Sequence, residues 1–189
     1  MTNASAVIAS DRLDLIPMTP AFLEAALRGD TAVADEILGL AVPAGWYEKR
    51  GLMEMRLDQL RRDPDLQPWL VRAMVLRGQG MPVPLPLMVG HIGFHTGPNP
   101  EYLRALAPDA VEVGYSVFPI YRRQGYAREA TQALMDWAQR EHGIARFVVS
   151  ISPQNAPSLA LARCFGFQRI GSHMDEVDGP EDIFDLCLS

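Results

Sequence analysis

The stretch from Val111 to Ala127 constrains the chain more than any other part of it. Val111, Val113, Tyr115 and Val117 alternate with Glu112, Gly114 and Ser116, which is the period of a strand with two distinct faces. Pro119 ends it, and Arg122-Arg123-Gln124-Gly125 forms a turn that opens a long amphipathic segment. A strand–turn–helix junction aims free backbone N–H groups and the positive end of a helix dipole at one spot, which suits a phosphate. Helix starts favour Asp or Glu, yet Arg122, Arg123 and Arg128 crowd this one against the dipole. Solvated arginines around an ordinary turn glycine are the commoner use of such residues. The opposed dipole ranks anion binding above it.

Composition limits what that anion is. The chain has 189 residues and a formal net charge of -6, so the arginines are a local basic spot on an acidic protein. That favours a small anion and argues against nucleic acid, which demands a basic surface. Cys164 and Cys187 are the only cysteines and share no ligand spacing with histidine, so no metal site and no disulfide framework is expected. No basic-then-apolar segment opens the sequence and no 18-residue apolar run occurs, so no membrane association is expected and the default compartment is the cytoplasm.

The rest reads as a single domain over residues 1–189, with no repeat or linker. A strand is expected over Arg12–Ile16, and a helix from Thr19-Pro20 to its stop at Gly29. Thr31 is expected to cap a second helix through Leu38. A third runs from Tyr47 to Arg62 with Leu52, Met55 and Leu60 on its apolar face. Strands follow at Trp69–Leu76 and Leu87–Phe94, separated by a Gly/Pro-rich loop at 78–86. After the strand at Val111 come a helix from Gly125 to His142, a strand at Arg146–Ile151, a helix from Asn155 to Phe165 closed by Gly166, and strands at Phe167–Ile170 and Ile183–Leu188. This order gives a mixed α/β sheet with helices on both faces, antiparallel in its first half with crossovers in its second.

Arg122-Arg123-Gln124-Gly125-Tyr126-Ala127 resembles the Q/R-x-x-G-x-G/A hallmark of the GNAT superfamily of acetyl-CoA-dependent N-acetyltransferases. Asn155-Ala156-Pro157-Ser158 with Gly166-Phe167 resembles the closing helix of that family. Arg12 to Thr19 and Gly90-His91-Ile92-Gly93-Phe94 are similar to its ribosomal-protein (Rim) branch. The resemblance covers nearly all of the chain except residues 31–68. It implies a GNAT-like, mostly antiparallel sheet with a splayed central strand pair, and acetyl-CoA as co-substrate. The pyrophosphate would lie against Arg122, Arg123, Gln124, Gly125, Tyr126, Ala127 and Arg128, because Gly125 lets a ligand approach the backbone. The backbone at Val117 and Phe118 would meet the pantetheine arm, as would Asn155, which also reads as a plain helix cap.

Glu112 is the candidate general base, since an acceptor ammonium must lose a proton before it attacks a thioester. A solvated carboxylate on a half-exposed strand is the rival reading. Many relatives carry a tyrosine to protonate the leaving thiolate where this chain has Ala162. The general acid is therefore open among Ser158, a tyrosine from elsewhere, and water. His91 and His95 share a strand face, and one of them could line the acceptor site. Cys164 reads as a small buried hydrophobe.

The resemblance implies acetyl transfer to a primary amine by direct attack, the acceptor being a small-molecule amine or a protein N-terminus. A CoA-responsive binding or regulatory domain without turnover is the alternative. A homodimer accords with the family, and nothing in the sequence specifies its interface.

Overall fold

Local signals set most of the elements. In the computed structural model, which describes residues 6–78, 86–175 and 179–188, strands and helices alternate in the order the sequence suggests. They are β1 (Ile8–Ala9), β2 (Leu13–Pro17), α1 (Pro20–Arg28), α2 (Thr31–Leu38), α3 (Ala44–Tyr47), α4 (Arg50–Arg62), β3 (Arg72–Leu76), β4 (Leu87–Phe94), β5 (Val111–Val117), α5 (Tyr126–His142), β6 (Arg146–Ile151), α6 (Ala156–Phe165), β7 (Gln168–Asp175) and β8 (Gly179–Cys187). The eight strands form a sheet in the order β1-β2-β3-β4-β5-β6-β8-β7, mixed and mostly antiparallel as expected. The chain makes two compact units, which share β5 and α5.

The first unit holds residues up to Gly93 together with Tyr115–Leu134. Thr19 caps α1 by accepting from the Phe22 N–H, Pro20 occupies the first turn, and Gly29 closes the helix at φ 75°. β3, buried along its whole length, pairs antiparallel with β2 and β4. Phe22, Leu23, Trp46, Met53, Leu57, Leu60 and Leu70 lead the core. Arg72 is buried with them, its guanidinium donating to the carbonyls of Ala6, Leu15 and Pro68. Burial lowers its pKa to about 10, still well above neutrality.

Two expectations here need correction. Asp30, not Thr31, caps α2, its carboxylate accepting from the Val33 N–H. The helix expected from Tyr47 to Arg62 is broken, because Lys49 leaves helical geometry at ψ 37°. The apolar face of α4 also differs from the expected one. Trp46 is buried from α3, Met53, Leu57 and Leu60 form the buried stripe of α4, and Met55 is 50% exposed. Residues 79–85 of the loop expected at 78–86 lie outside the described residues.

The second unit holds Phe94–Gly114 and the chain from Met135 onward. β8 pairs antiparallel with both β6 and β7. Phe147 and Trp137 both stack on Phe94, each at 6.5 Å between centroids. Asn155 caps α6 by accepting from the Ser158 N–H, and Gly166 closes it at φ 86°. β5 runs parallel to β6, but their register covers only Val111↔Phe147 and Glu112↔Val148. The short ladder is the splaying that the family resemblance implies. β7 and β8 are each longer than the expected strands, since the ladder between them continues to Asp175↔Gly179.

Candidate active site

After β5 the backbone makes one 3-10 turn, Pro119–Tyr121, and Arg122 is extended. Arg123 (φ 64°) and Gly125 (φ 83°) are then both left-handed before α5 begins. A left-handed arginine costs on the order of 1–3 kcal/mol, and such strain gathers at ligand clamps. Turns of this kind form concavities of backbone N–H groups that hold anions. Arg122, Arg123, Gln124, Gly125 and Arg128 are exposed around it, Ala127 is half-buried, and buried Tyr126 donates its hydroxyl to Gln124 Oε1 at 3.1 Å.

The first turn of α5 does contain an acid, Glu129, and Arg12 neutralises it. The Arg12 N–H and Nε donate to the two Glu129 oxygens at 2.6 and 2.7 Å, and the Ser10 hydroxyl donates at 2.7 Å. Burial alone would raise the Glu129 pKa, and these donors with the Arg12 charge hold it below the ordinary value. Arg12 also lies 4.7 Å over the Tyr126 ring, with Nη2 3.3 Å from where a Cβ on Gly125 would stand. Arg12 thus packs against this turn. No local spacing links it to Gly125, so sequence reasoning missed it.

The backbone at Val117 and Phe118 is engaged internally. Phe118 N–H donates to Val89 O (3.0 Å), its carbonyl accepts from Tyr121 N–H (2.9 Å), and Val117 O accepts from Arg122 Nε (3.0 Å). Gly90 makes this approach of β4 to β5 feasible, since a Cβ there would stand 2.3 Å from Ser116 O.

In the second unit Glu112 is not the solvated carboxylate of the rival reading but is only 4% exposed. Three side chains close on it. Tyr102 donates its hydroxyl to Oε2 at 2.7 Å, Ser150 donates to Oε1 at 2.5 Å, and His95 Nδ1 stands 3.2 Å from Oε2. Burial raises the Glu112 pKa, but His95, by hydrogen bond and charge, and then Ser150 and Tyr102 outweigh it and hold the pKa down to about 2. An acid depressed on folding stabilises the native state above its unfolded pKa, near 4.3, and loses that contribution as pH falls toward the folded value. Denaturant unfolding between pH 5 and pH 3 should therefore weaken wild type more than Glu112→Gln. Parallel losses in the two proteins would contradict the depressed pKa.

His95 packs where Gly114 has no side chain, since a Cβ there would meet Nε2 at 2.5 Å. His91 has a different fate. It is buried against Trp46, ring centroids 5.3 Å apart, and burial with the Lys49 and Arg56 charges pushes its pKa down to about 4. On α6, Ser158 is half-buried, Asn155 is exposed and Ala162 is buried. Cys164 is exposed, contrary to expectation, because its place on α6 faces away from the core. His173, Asp175 and Glu181, on the β7–β8 hairpin, have ligand atoms within 4.8 Å of one another and could reach one metal ion. Two of them already pair, His173 Nε2 with Glu181 at 3.5 Å. Among the described residues no helix is long and apolar enough to cross a membrane.

The family description "Acetyltransferase (GNAT) domain" matches residues 12–168, which include the Arg12 contact, the Glu112 cluster, the left-handed turn and α6. The chain belongs to the GNAT acetyltransferase family. An uncharacterized N-acetyltransferase of Bacillus subtilis, YnaD, is 29% identical over 84 residues, 44% of this GNAT chain and 45% of that protein. The match thus spans less than half of the relative. A GNAT-family acetyltransferase structure from Bordetella pertussis superposes with a TM-score of 0.66 at 22% identity, covering 95% of this chain and 98% of that one. RimL, a ribosomal L7/L12 alpha-N-protein acetyltransferase solved in complex with coenzyme A, gives 0.60 at 17% identity over 97% and 98%. At these identities the two structures establish the GNAT fold.

Proposed function

We propose that this GNAT protein transfers an acetyl group from acetyl-CoA to a primary amine by direct attack. The observation that carries the reading is the turn at Arg122–Ala127. Its two left-handed residues, its exposed arginines and the capture of Glu129 by Arg12 together make a cradle for a pyrophosphate. Arg122, Arg123, Gln124, Gly125, Tyr126, Ala127 and Arg128 would hold the diphosphate of acetyl-CoA, with Val117, Phe118 and Asn155 meeting the pantetheine arm. Buried Glu112 and its partners supply the acid–base chemistry. Direct attack is favoured because the sequence pairs neither cysteine with a histidine at a spacing that marks an activated nucleophile, and both thiols are free and exposed. The acceptor is an alkyl amine, of a small molecule or of a protein N-terminus as for the alpha-N-protein acetyltransferase RimL, and the net charge of -6 suits a cationic one.

Incubation with acetyl-CoA and a panel comprising spermidine, an aminoglycoside, free amino acids and a peptide with an N-terminal serine tests the proposal, read as free thiol. Thiol release above the amine-free rate with at least one acceptor is expected. Tight acetyl-CoA binding with no release would favour the non-turnover alternative, which buried Ala162 in place of an acid on α6 supports.

Ser158 is the proposed proton donor to the departing thiolate, one helical turn before Ala162. A CoA thiol leaves readily, so the help needed is small, and Ser158→Ala should cost about tenfold or less in turnover. If Ser158 only steadies the first turn of α6, the melting temperature of Ser158→Ala falls and its turnover is unchanged.

A further inference from the structure

We propose that Arg12 is itself a ligand of the acetyl-CoA diphosphate, aimed at the turn by Glu129. This rests on acetyl-CoA being the cofactor, and adds to its site a residue from the β1–β2 hairpin.

Three observations lead there. A guanidinium that faces a carboxylate commonly makes two parallel N–H bonds to it. Arg12 makes one from its side chain, Nε to Glu129 Oε2 at 2.7 Å, because Oε1 is taken by the Arg12 backbone N–H and the Ser10 hydroxyl. Among the described residues neither Nη1 nor Nη2 of Arg12 makes a hydrogen bond.

The fork is turned toward Gly125 instead. Nη2 stands 3.3 Å from the point a Gly125 Cβ would occupy, on the side of the turn that the missing side chain leaves open. Gly125 and Arg123 are both left-handed there, the backbone that forms anion-binding concavities.

The side chain is also held in this pose without a ligand. Glu129 fixes Nε, and the ring of buried Tyr126 lies 4.7 Å from the guanidinium carbon. A planar cation braced on two sides, with its side chain 47% exposed, is preorganised for an oxyanion.

The charges agree with this placement. Glu129 stands in the first turn of α5, where an uncompensated carboxylate would repel a diphosphate. Arg12 offsets it and still has two nitrogens to offer. A lysine would supply its charge at one point only, whereas the guanidinium donates to Glu129 and to a phosphate oxygen in different directions. As a plain surface ion pair, Arg12 and Glu129 would tie the hairpin to α5 and nothing more.

Calorimetry with CoA and nitrogen-15 NMR of the arginine side chains separate the two roles. In wild type, CoA should shift the Arg12 Nη signals and slow rotation of the guanidinium, while Nε stays on Glu129. Arg12→Ala should bind CoA about thirtyfold more weakly, since it loses a charged hydrogen bond and bares Glu129. In a Glu129→Gln background, whose amide oxygen can still accept from Nε, the same change should cost about tenfold. Arg12→Lys keeps the charge and should lose about fivefold, and it carries the test with the wild-type spectra if Arg12→Ala does not fold. Unmoved Nη signals in CoA-saturated wild type would overturn the contact. So would wild-type affinity in Arg12→Lys, or an Arg12→Ala change without effect in the Glu129→Gln background, which would reduce Arg12 to a counter-charge. A wild type that binds no CoA would overturn the cofactor reading itself, and this contact with it.

Discussion

Gly125→Glu is expected to abolish acetyl-CoA binding in a protein that still folds. Gly125 sits at φ 83°, so any side chain there is strained, by about 1–2 kcal/mol. A glutamate adds a negative charge where the diphosphate would lie, and its Cβ would start 3.3 Å from Arg12 Nη2. The carboxylate could then take the guanidinium and exposed arginines for itself. Gly29→Ala separates strain from ligand chemistry. Gly29 has nearly the same backbone (φ 75°), has open space where the Cβ would go, and ends a helix with no phosphate reading. Calorimetry should show loss of affinity by roughly a hundredfold or more (each tenfold is about 1.4 kcal/mol) for Gly125→Glu. Gly29→Ala should melt lower but bind as wild type. Equal affinity in folded Gly125→Glu would remove the turn from the cofactor site.

Glu112→Gln should lower turnover at pH 7 about a hundredfold or more while leaving acetyl-CoA affinity intact. The amide keeps the shape of the carboxylate but presents an NH2 group and loses the charge. Alkyl amines titrate near about 10.4, so the defect should shrink as pH rises and free amine becomes abundant. Equal rates for the two proteins at pH 7, with chemistry rate-limiting, would take Glu112 out of the mechanism.

These two residues differ in how they could be read from sequence. Gly125 belongs to a local device, and its neighbours in the chain, a strand before and an arginine-rich helix start after, carry the signal. The same holds for α1, fixed by Thr19, Pro20 and Gly29, and for α6, fixed by Asn155 and Gly166. Glu112 was legible as a residue but not as an environment. Tyr102, Ser150 and His95 reach it from 10, 38 and 17 positions away, and only the fold brings them together. Arg12 and Glu129, 117 positions apart, are the same case. Periodicity failed in α4, where it places Leu52, Met55 and Leu60 on one apolar face. The buried face instead runs through Met53, Arg56, Leu57 and Leu60, which leaves Met55 outside. Cys164 shows the converse, a residue type that is usually buried placed on the outer side of a short helix.

Acetyl-CoA labelled with carbon-13 in its acetyl group, incubated with the protein and the amine panel and followed by mass spectrometry and NMR, traces the group itself. Direct transfer places the label in an amide on an acceptor amine, with free CoA formed in equal amount and no labelled protein. Label recovered only as acetate, only on the protein, or unmoved in acetyl-CoA that the protein nonetheless binds would contradict direct acetylation of an amine.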